Sequence, residues 1–215
     1  MRVRYFSICR AATGRDEEAI PARDGPTVGA LLEHLRRRHP GLAPHAASLR
    51  VAVNHEFAPA SRPLSDADEV ALLPPVQGGK GQDDPEGTVS VLLTREPIDL
   101  PALLEAARAE GAGAVATFTG IVRPGEAGRA IRAIEYEAYD EMARRELARI
   151  AREARARAGI LAVAVVHRTG PVPAGEAAVA IAVASGHRAE AFETCRWIID
   201  RIKETVPVWK HHLAV

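Results

Sequence analysis

The hydrophobic positions of the first 79 residues predict strands on both sides of one helix. Apolar residues recur at helical spacing between Val28 and Leu35, Thr27 is suited to cap the helix start, and Pro40-Gly41 to stop it. Strand patterns occupy residues 3–8, 19–20, 48–57 (with a turn at Asn54-His55) and 68–75. The order ββαββ predicts a ubiquitin-like β-grasp domain, in which one helix covers a four-stranded mixed sheet.

The last of these strands runs into a tail that ends with Gly78-Gly79. Glycine has no Cβ, so a Gly-Gly end is suited to thread a narrow tunnel into another active site. Residues 80–87 are rich in Gly, Asp and Pro and have no apolar anchor, which indicates a linker. Fully extended, this linker spans at most about 28 Å. A plain flexible connection is the alternative interpretation of the glycine pair.

The pattern after residue 88 predicts a second, α+β domain over residues 88–215. Strands are expected at 88–94, 114–123, 131–139, 161–170 and 177–186, and helices at 99–113, 140–159 and 189–206. The final helix has a predicted core stripe of Phe192, Cys195, Ile199, Ile202 and Val206. The chain shows no internal repeat and no glycine-rich phosphate loop, and the elements do not follow strict βαβ alternation.

Composition narrows the class of protein without naming a function. The formal net charge is zero, which gives no signal for nucleic acid or a membrane surface, and no apolar run approaches the roughly 18 residues that span a bilayer. The first ten residues lack the apolar segment of a signal peptide. Cys9 and Cys195 are too few for a disulfide framework or zinc site, so we expect buried free thiols in a cytoplasmic protein with no metal or resident cofactor.

Lysine is scarce in this chain. Only Lys80, Lys203 and Lys210 occur among 28 basic residues, and the other 25 are arginines. A lysine retained in such a chain suits a site that needs a compact amine able to lose its proton. Lys203 and Lys210 flank the end of the last helix, although two solvated lysines remain the alternative.

Two further groups are candidates for binding an anion. His187-Arg188 lie where a buried strand hands over to a helix, and a helix N-terminus offers unpaired N–H groups to a phosphate. Phe118 and Arg123 lie on a strand and in the loop after it, where arginine could hold a phosphate in a bidentate fork. The alternatives are a capping pair and an ordinary surface arginine. His167-Arg168 have no helix start beside them, so we interpret them as structural.

The two halves together resemble the molybdopterin synthase family. Residues 1–79 look like its small, sulfur-carrying subunit, and residues 88–215 look like its large, catalytic subunit of α/β-hammerhead-like fold. The stretches that carry the resemblance are "LLPPVQGG", "GAVATFTGIVR", "VVHRTG", "VASGHRAEAF" and "IKETVPVWK". The chain therefore looks like a fusion of both subunits.

The resemblance implies conversion of cyclic pyranopterin monophosphate to molybdopterin. Two sulfurs would come from a thiocarboxylate on Gly79, which an adenylating (E1-like) enzyme and a sulfurtransferase load. It also implies a homodimer through the catalytic half. The implied site residues are Lys203, Lys210 and Gly79 as catalytic groups, and Arg123, His187, Arg188 and Phe118 as substrate-binding groups, with Phe118 near the tail channel.

One departure from the family changes the chemistry. Gly79 is followed by Lys80, so its carbonyl is an amide that cannot be adenylated, and we predict cleavage after Gly79. The chain also ends soon after Lys210, where many large subunits continue, so contacts from a longer tail are not expected. Two other functions stay open: a ubiquitin-like carrier for thiamin or tRNA thiolation, and an inactive scaffold.

Overall fold

The computed structural model describes residues 1–45, 49–73, 88–126 and 129–214. The chain divides into two compact units, Met1–Gly78 and Gly79–Val215.

The first unit is a mixed sheet with one long helix packed on it. Its elements are β1 (Arg2–Tyr5), α1 (Ile8–Thr13), β2 (Glu17–Ala19), α2 (Val28–Arg38), β3 (Arg50–Val53), β4 (Glu56–Phe57) and β5 (Glu69–Leu73). The strand order is β2-β1-β5-β3-β4, with β1 and β5 parallel. Val28, Leu31 and Leu35 of α2 are at most 2% exposed, so the predicted helix and its apolar face are confirmed.

Two details of this unit differ from the prediction. Among the described residues the sheet has five strands rather than four, because segment 48–57 folds back on itself as β3 and β4. Asn54 and His55 both have positive φ, as a tight hairpin turn requires. The first strand ends at Tyr5 instead of Ile8, since Ser7 adopts φ 48 and the chain then forms α1.

A group of polar residues around the buried Glu18, here called the Glu18 cluster, joins β1, β2 and the end of α2. It consists of Glu18, Tyr5, His39 and Arg38. The Tyr5 hydroxyl donates to Glu18 Oε1 at 2.5 Å, and His39 Nε2 lies 2.6 Å from the same oxygen. Arg38 Nε is 3.1 Å from Glu18 Oε2. Glu18 is only 8% exposed, so these partners replace the water that the carboxylate loses.

The second unit contains two sheets and three helices within its described residues. Its elements are β6 (Val89–Thr94), α3 (Leu100–Ala106), β7 (Ala114–Ile121), β8 (Gly125–Glu126), β9 (Arg129–Ala138), α4 (Asp140–Arg155), β10 (Ile160–Arg168), β11 (Gly170–Pro173), β12 (Ala177–Ser185), α5 (Arg188–Thr205) and β13 (Val208–Ala214). The mixed α+β character predicted from the sequence is confirmed.

The larger sheet has the order β6-β10-β12-β7 and is covered on both faces. One face packs against α4 and α5 in a core that includes Val163, Val165, Ile181, Leu147 and Ile198. The opposite face packs small residues of β10 and β12 against the short helix α3. Alternating residues of β10 and β12 thus point into two different cores, which explains their nearly continuous apolar sequence.

The smaller sheet has the order β11-β9-β13, and β8 pairs with β9. β8 and β11 lie in segments that the sequence predicted as connections. The glycines and prolines in and beside these segments indicated turns. Short edge strands tolerate these residues, although a central strand does not. β9 was predicted and is confirmed, and β13 follows directly after Pro207.

Three further predictions concern the burial of side chains and the end of a helix. Phe192 was assigned to the core stripe of α5 but is 63% exposed, since Ala191 occupies the buried position beside it. α4 ends at Arg155, four residues before Gly159. Cys9 and Cys195 are buried free thiols, as expected. In the described part of the chain no helix has the length and apolar character needed to cross a bilayer.

Candidate active site

α5 sets the positions of the predicted site residues at its two ends. His187 precedes the helix with extended φ and ψ, and Arg188 is its first residue. Both side chains are exposed, and no side chain caps the helix start. His187 and Arg188, here called the histidine end, therefore flank unpaired N–H groups and the positive end of the helix dipole.

Lys203 lies in the last turn of α5, and Lys210 is the third residue of β13. Only Val206 and Pro207 separate the two elements, so both lysines lie near one turn. Both side chains are exposed, and neither forms an ion pair within the described residues.

Arg123 belongs to the same region. It lies two residues beyond β7, where Val122 is held by backbone hydrogen bonds to Gly175 and Glu176. Val122 shares an apolar cluster with Tyr136 of β9, and Tyr136 lies directly opposite Lys210 of β13. Arg123, Lys203 and Lys210, here called the lysine end, therefore border one side of the unit.

Phe118 connects this region to the main core. It is partly buried in the second half of β7 and packs against the core shared with α5. β7 runs antiparallel to β12, and α5 turns back after β12, so α5 runs in the same direction as β7. Phe118 thus lies toward the lysine end of β7.

The histidine end lies far from the lysine end within one chain. Lys203 follows Arg188 by fifteen positions along the helix, which corresponds to about 22 Å at 1.5 Å per residue. The histidine end adjoins the start of β7, where the Gly113 N–H donates to the Ser185 carbonyl at 3.0 Å. The sequence treated all these residues as one cleft, but a single chain holds them as two separate groups.

Lys210 lies beside the ring of Tyr136, which in turn contacts the ring of His167. Its Nζ lies 6.0 Å from the centroid of the Tyr136 ring, and the Tyr136 ring meets the His167 ring edge-to-face with centroids 5.6 Å apart. Burial lowers the pKa of His167 to about 4, outweighing its hydrogen bond to the Arg168 carbonyl, and the Lys210 charge adds to this lowering. His167 is therefore neutral at physiological pH.

Sequence reasoning missed Tyr136 as a neighbour of the candidate site. The residue lies in β9, and nothing in its local pattern indicates that β13 pairs beside it. His167 was interpreted as structural, which its 6% exposure supports, but its proximity to Lys210 depends on how the two sheets fold together. Gly79 and the rest of residues 74–87 lie outside the described residues.

Family models match both parts of the chain. The model described as "MoaE protein" matches residues 93–205, and the model described as "ThiS family" matches residues 3–79. A molybdopterin synthase catalytic subunit from Oryza sativa subsp. indica is 49% identical over 113 residues, 53% of this chain and 58% of the relative. The chain thus spans little more than half the length of that relative.

Two other relatives are covered more fully. A molybdopterin synthase catalytic subunit from Thermoplasma volcanium is 45% identical over 123 residues, 57% of this chain and 90% of the relative. The crystal structure of molybdopterin synthase from Staphylococcus aureus aligns with a TM-score of 0.53 and 36% identity, covering 62% of this chain and 94% of that one.

These matches define the protein as a ThiS-family domain joined to a MoaE-family domain in one polypeptide. The chain belongs to the MoaE protein family, whose model matches more than half of its length.

Proposed function

We propose that this chain is a molybdopterin synthase that carries its own sulfur donor. It converts cyclic pyranopterin monophosphate to molybdopterin, using two sulfurs delivered as the thiocarboxylate of Gly79. The observation that carries this proposal is the co-occurrence, in one chain, of a sulfur-carrier domain and a catalytic domain in which Lys203 and Lys210 have no acidic partner within the described residues.

The charges of the site suit an anionic cyclic phosphate. Arg123 and the histidine end bind and neutralise the phosphate, and they stabilise the oxygen that becomes charged when sulfur attack opens the ring. Lys203 acts either as a proton donor and acceptor or through a transient covalent link to the Gly79 carbonyl. Lys210 is a second anion contact or proton carrier. Phe118 lies near the path of the carrier tail.

The separation of the two ends supports a dimer in which two chains share each site. β7 is an edge strand in the described sheet, and its Val115 and Ile121 are 46% and 58% exposed. If two β7 edges pair antiparallel about a twofold axis, the start of one strand meets the end of the other. The histidine end of one chain then lies beside the lysine end of its partner, which completes two equivalent sites.

Sulfur loading requires a free carboxylate on the carrier. A protease therefore cleaves the bond between Gly79 and Lys80, and an adenylating enzyme and a sulfurtransferase then act on the new terminus. The mass spectrum of protein from its native host tests this step. We expect fragments that end and begin at this bond, whereas an active preparation that contains only the intact 23.0 kDa chain contradicts cleavage.

Turnover tests the proposed reaction itself. Residues 1–79, prepared as the thiocarboxylate, are mixed with residues 80–215 and cyclic pyranopterin monophosphate, and molybdopterin is measured. Product formation is expected with the thiocarboxylate and not with the plain carboxylate. Failure with a folded, loaded mixture contradicts the proposal.

The match of residues 3–79 to the ThiS family favours one alternative, a carrier for another thiolation pathway. That function needs neither the lysine end nor the histidine end. Binding of cyclic pyranopterin monophosphate to residues 80–215 separates the two, because a pure carrier predicts no binding.

A further inference from the structure

Lys210 occupies a defined position although its side chain is exposed. It lies directly opposite Tyr136 in the β9–β13 ladder, and its ammonium nitrogen is 6.0 Å from the ring centroid. This distance is at the outer range of a cation–π contact, in which the electron-rich ring face attracts the cation. Tyr136 itself is 6% exposed, so its buried ring is a fixed support beside the exposed side chain of Lys210.

The Tyr136 ring is fixed in turn by His167. The two rings are 74° apart in an edge-to-face arrangement with centroids at 5.6 Å. His167 Nδ1 lies 2.8 Å from the Arg168 carbonyl, which only accepts hydrogen bonds, so Nδ1 carries the proton. The neutral ring thereby leaves Nε2 without a proton and adds no positive charge beneath Lys210.

The strand that holds His167 is anchored by its neighbour. Arg168 is 4% exposed and donates from Nη1 to Glu176 Oε2 at 2.6 Å, which links the end of β10 to the start of β12. The contacts therefore form a series. The Arg168–Glu176 ion pair holds the end of β10, His167 contacts Tyr136, and Tyr136 lies beside Lys210. A lysine that serves only as a solvated surface charge needs no such support.

We propose that Tyr136 and His167 are positioning residues for Lys210, holding its ammonium group in place for the sulfur-transfer site. The catalytic consequence rests on the proposed function, but the positioning itself does not. Tyr136 acts through its ring face and His167 acts through Tyr136, so neither needs to touch the substrate.

Lysine scarcity gives a direct measurement of the positioning. Reductive methylation with ¹³C-formaldehyde labels only four amines, which are those of Lys80, Lys203, Lys210 and the N-terminus. In NMR spectra, the signals that disappear in Lys210→Arg and Lys203→Arg variants are those of Lys210 and Lys203. We expect the Lys210 methyl signal upfield of the Lys203 signal, since it lies over an aromatic ring. Tyr136→Leu should move it to the Lys203 position, whereas Tyr136→Phe, which keeps the ring, should leave it in place.

The control is Tyr139→Leu, the same substitution at a buried tyrosine three residues along the chain, which should not move the Lys210 signal. Should Tyr136→Leu fail to fold, His167→Asn tests the same support, because it keeps a donor for the Arg168 carbonyl but removes the ring. A partial downfield shift is expected. A Lys210 signal that coincides with Lys203 in the wild type, or that is unchanged in a folded Tyr136→Leu or His167→Asn variant, overturns the proposal.

Kinetics then connect positioning to catalysis. Tyr136→Leu should lower kcat by about tenfold with a smaller change in KM, and Tyr136→Phe should restore kcat to within about twofold of the wild type. An inactive wild type contradicts the proposed function and leaves the methyl signals to decide the positioning. An active wild type with an unaffected Tyr136→Leu variant overturns the catalytic part of the inference.

Discussion

The Glu18 cluster of the first unit and the lysine end of the second show two opposite uses of charge. Glu18 is buried and is contacted by Tyr5, His39 and Arg38, so its charge is compensated inside the fold. Lys203 and Lys210 are exposed and have no acidic partner among the described residues. The first arrangement stabilises a domain, whereas the second leaves positive charge available to a ligand. Substitutions in the two regions should therefore change different measured quantities.

The largest effect is expected for Lys203→Ala. Removing the amine should lower molybdopterin formation at least about 100-fold, because general acid–base groups contribute on this order or more. The free energy of unfolding should change by less than about 0.5 kcal/mol, since the side chain is exposed. Single-turnover assays and urea unfolding measure the two quantities.

The control for Lys203 is Arg196→Ala. This residue is on the same helix, its side chain is 85% exposed, and it should affect neither quantity. Normal turnover by Lys203→Ala would remove this lysine from the mechanism.

Glu18→Ala should show the reverse behaviour. The loss of the carboxylate leaves the buried Tyr5 hydroxyl and His39 without their shared acceptor, which should cost about 3 kcal/mol of unfolding free energy. Catalysis by a folded, sulfur-loaded variant should be unaffected. Glu17→Ala, the exposed neighbour on β2, is the matched control. Equal stabilities of the two variants would show that the cluster does not stabilise the domain.

The Glu18 cluster also predicts a dependence of stability on pH. Burial of Glu18 favours its protonated form, but hydrogen bonds from Tyr5 and His39 and the charges of His39 and Arg38 outweigh burial and lower its pKa. Its stabilisation is therefore complete above the unfolded-state pKa of about 4.3 and is lost as pH falls through the lower folded-state pKa. In urea unfolding between pH 7 and pH 3, the wild type should lose more stability than Glu18→Gln. Parallel profiles would contradict this assignment.

A mixture of two inactive variants sharpens the comparison within the second unit. His187→Ala and Lys203→Ala chains are mixed and allowed to exchange subunits. If sites are shared across a dimer, half of the dimers are mixed and each has one intact site, so activity should recover to about a quarter of the wild type. No recovery despite subunit exchange would place each site within one chain.

The smallest effect is expected for Phe192→Asp. Since Phe192 is 63% exposed on α5, which packs against β7, the charge should weaken dimerisation by about tenfold in Kd without unfolding the chain. Sedimentation equilibrium measures the dimer. Ile199→Ala, at 7% exposure on the same helix, should instead lower the unfolding free energy. A lowered unfolding free energy of the Phe192→Asp monomer would indicate instead that Phe192 belongs to the core.

Local patterns in the sequence predicted much of the fold but not how its parts meet. Thr27 caps α2 as predicted, because a cap depends only on neighbouring residues. The strands β8 and β11 were missed, since they exist only through pairing with β9. Likewise, the sequence identified Lys210 but not Tyr136 beside it, because neither local pattern shows that β13 pairs with β9. The predicted helix 189–206 already set the two ends of α5 far apart, but the family resemblance grouped their residues into one site.

The most direct test of the account is the fate of the carrier terminus during turnover. The Gly79 thiocarboxylate fragment is mixed with residues 80–215 and cyclic pyranopterin monophosphate, and mass spectrometry follows the fragment while molybdopterin is quantified. The account predicts that two thiocarboxylates become carboxylates for each molybdopterin formed. Molybdopterin formation without loss of thiocarboxylate, or by the uncleaved chain alone, would contradict it.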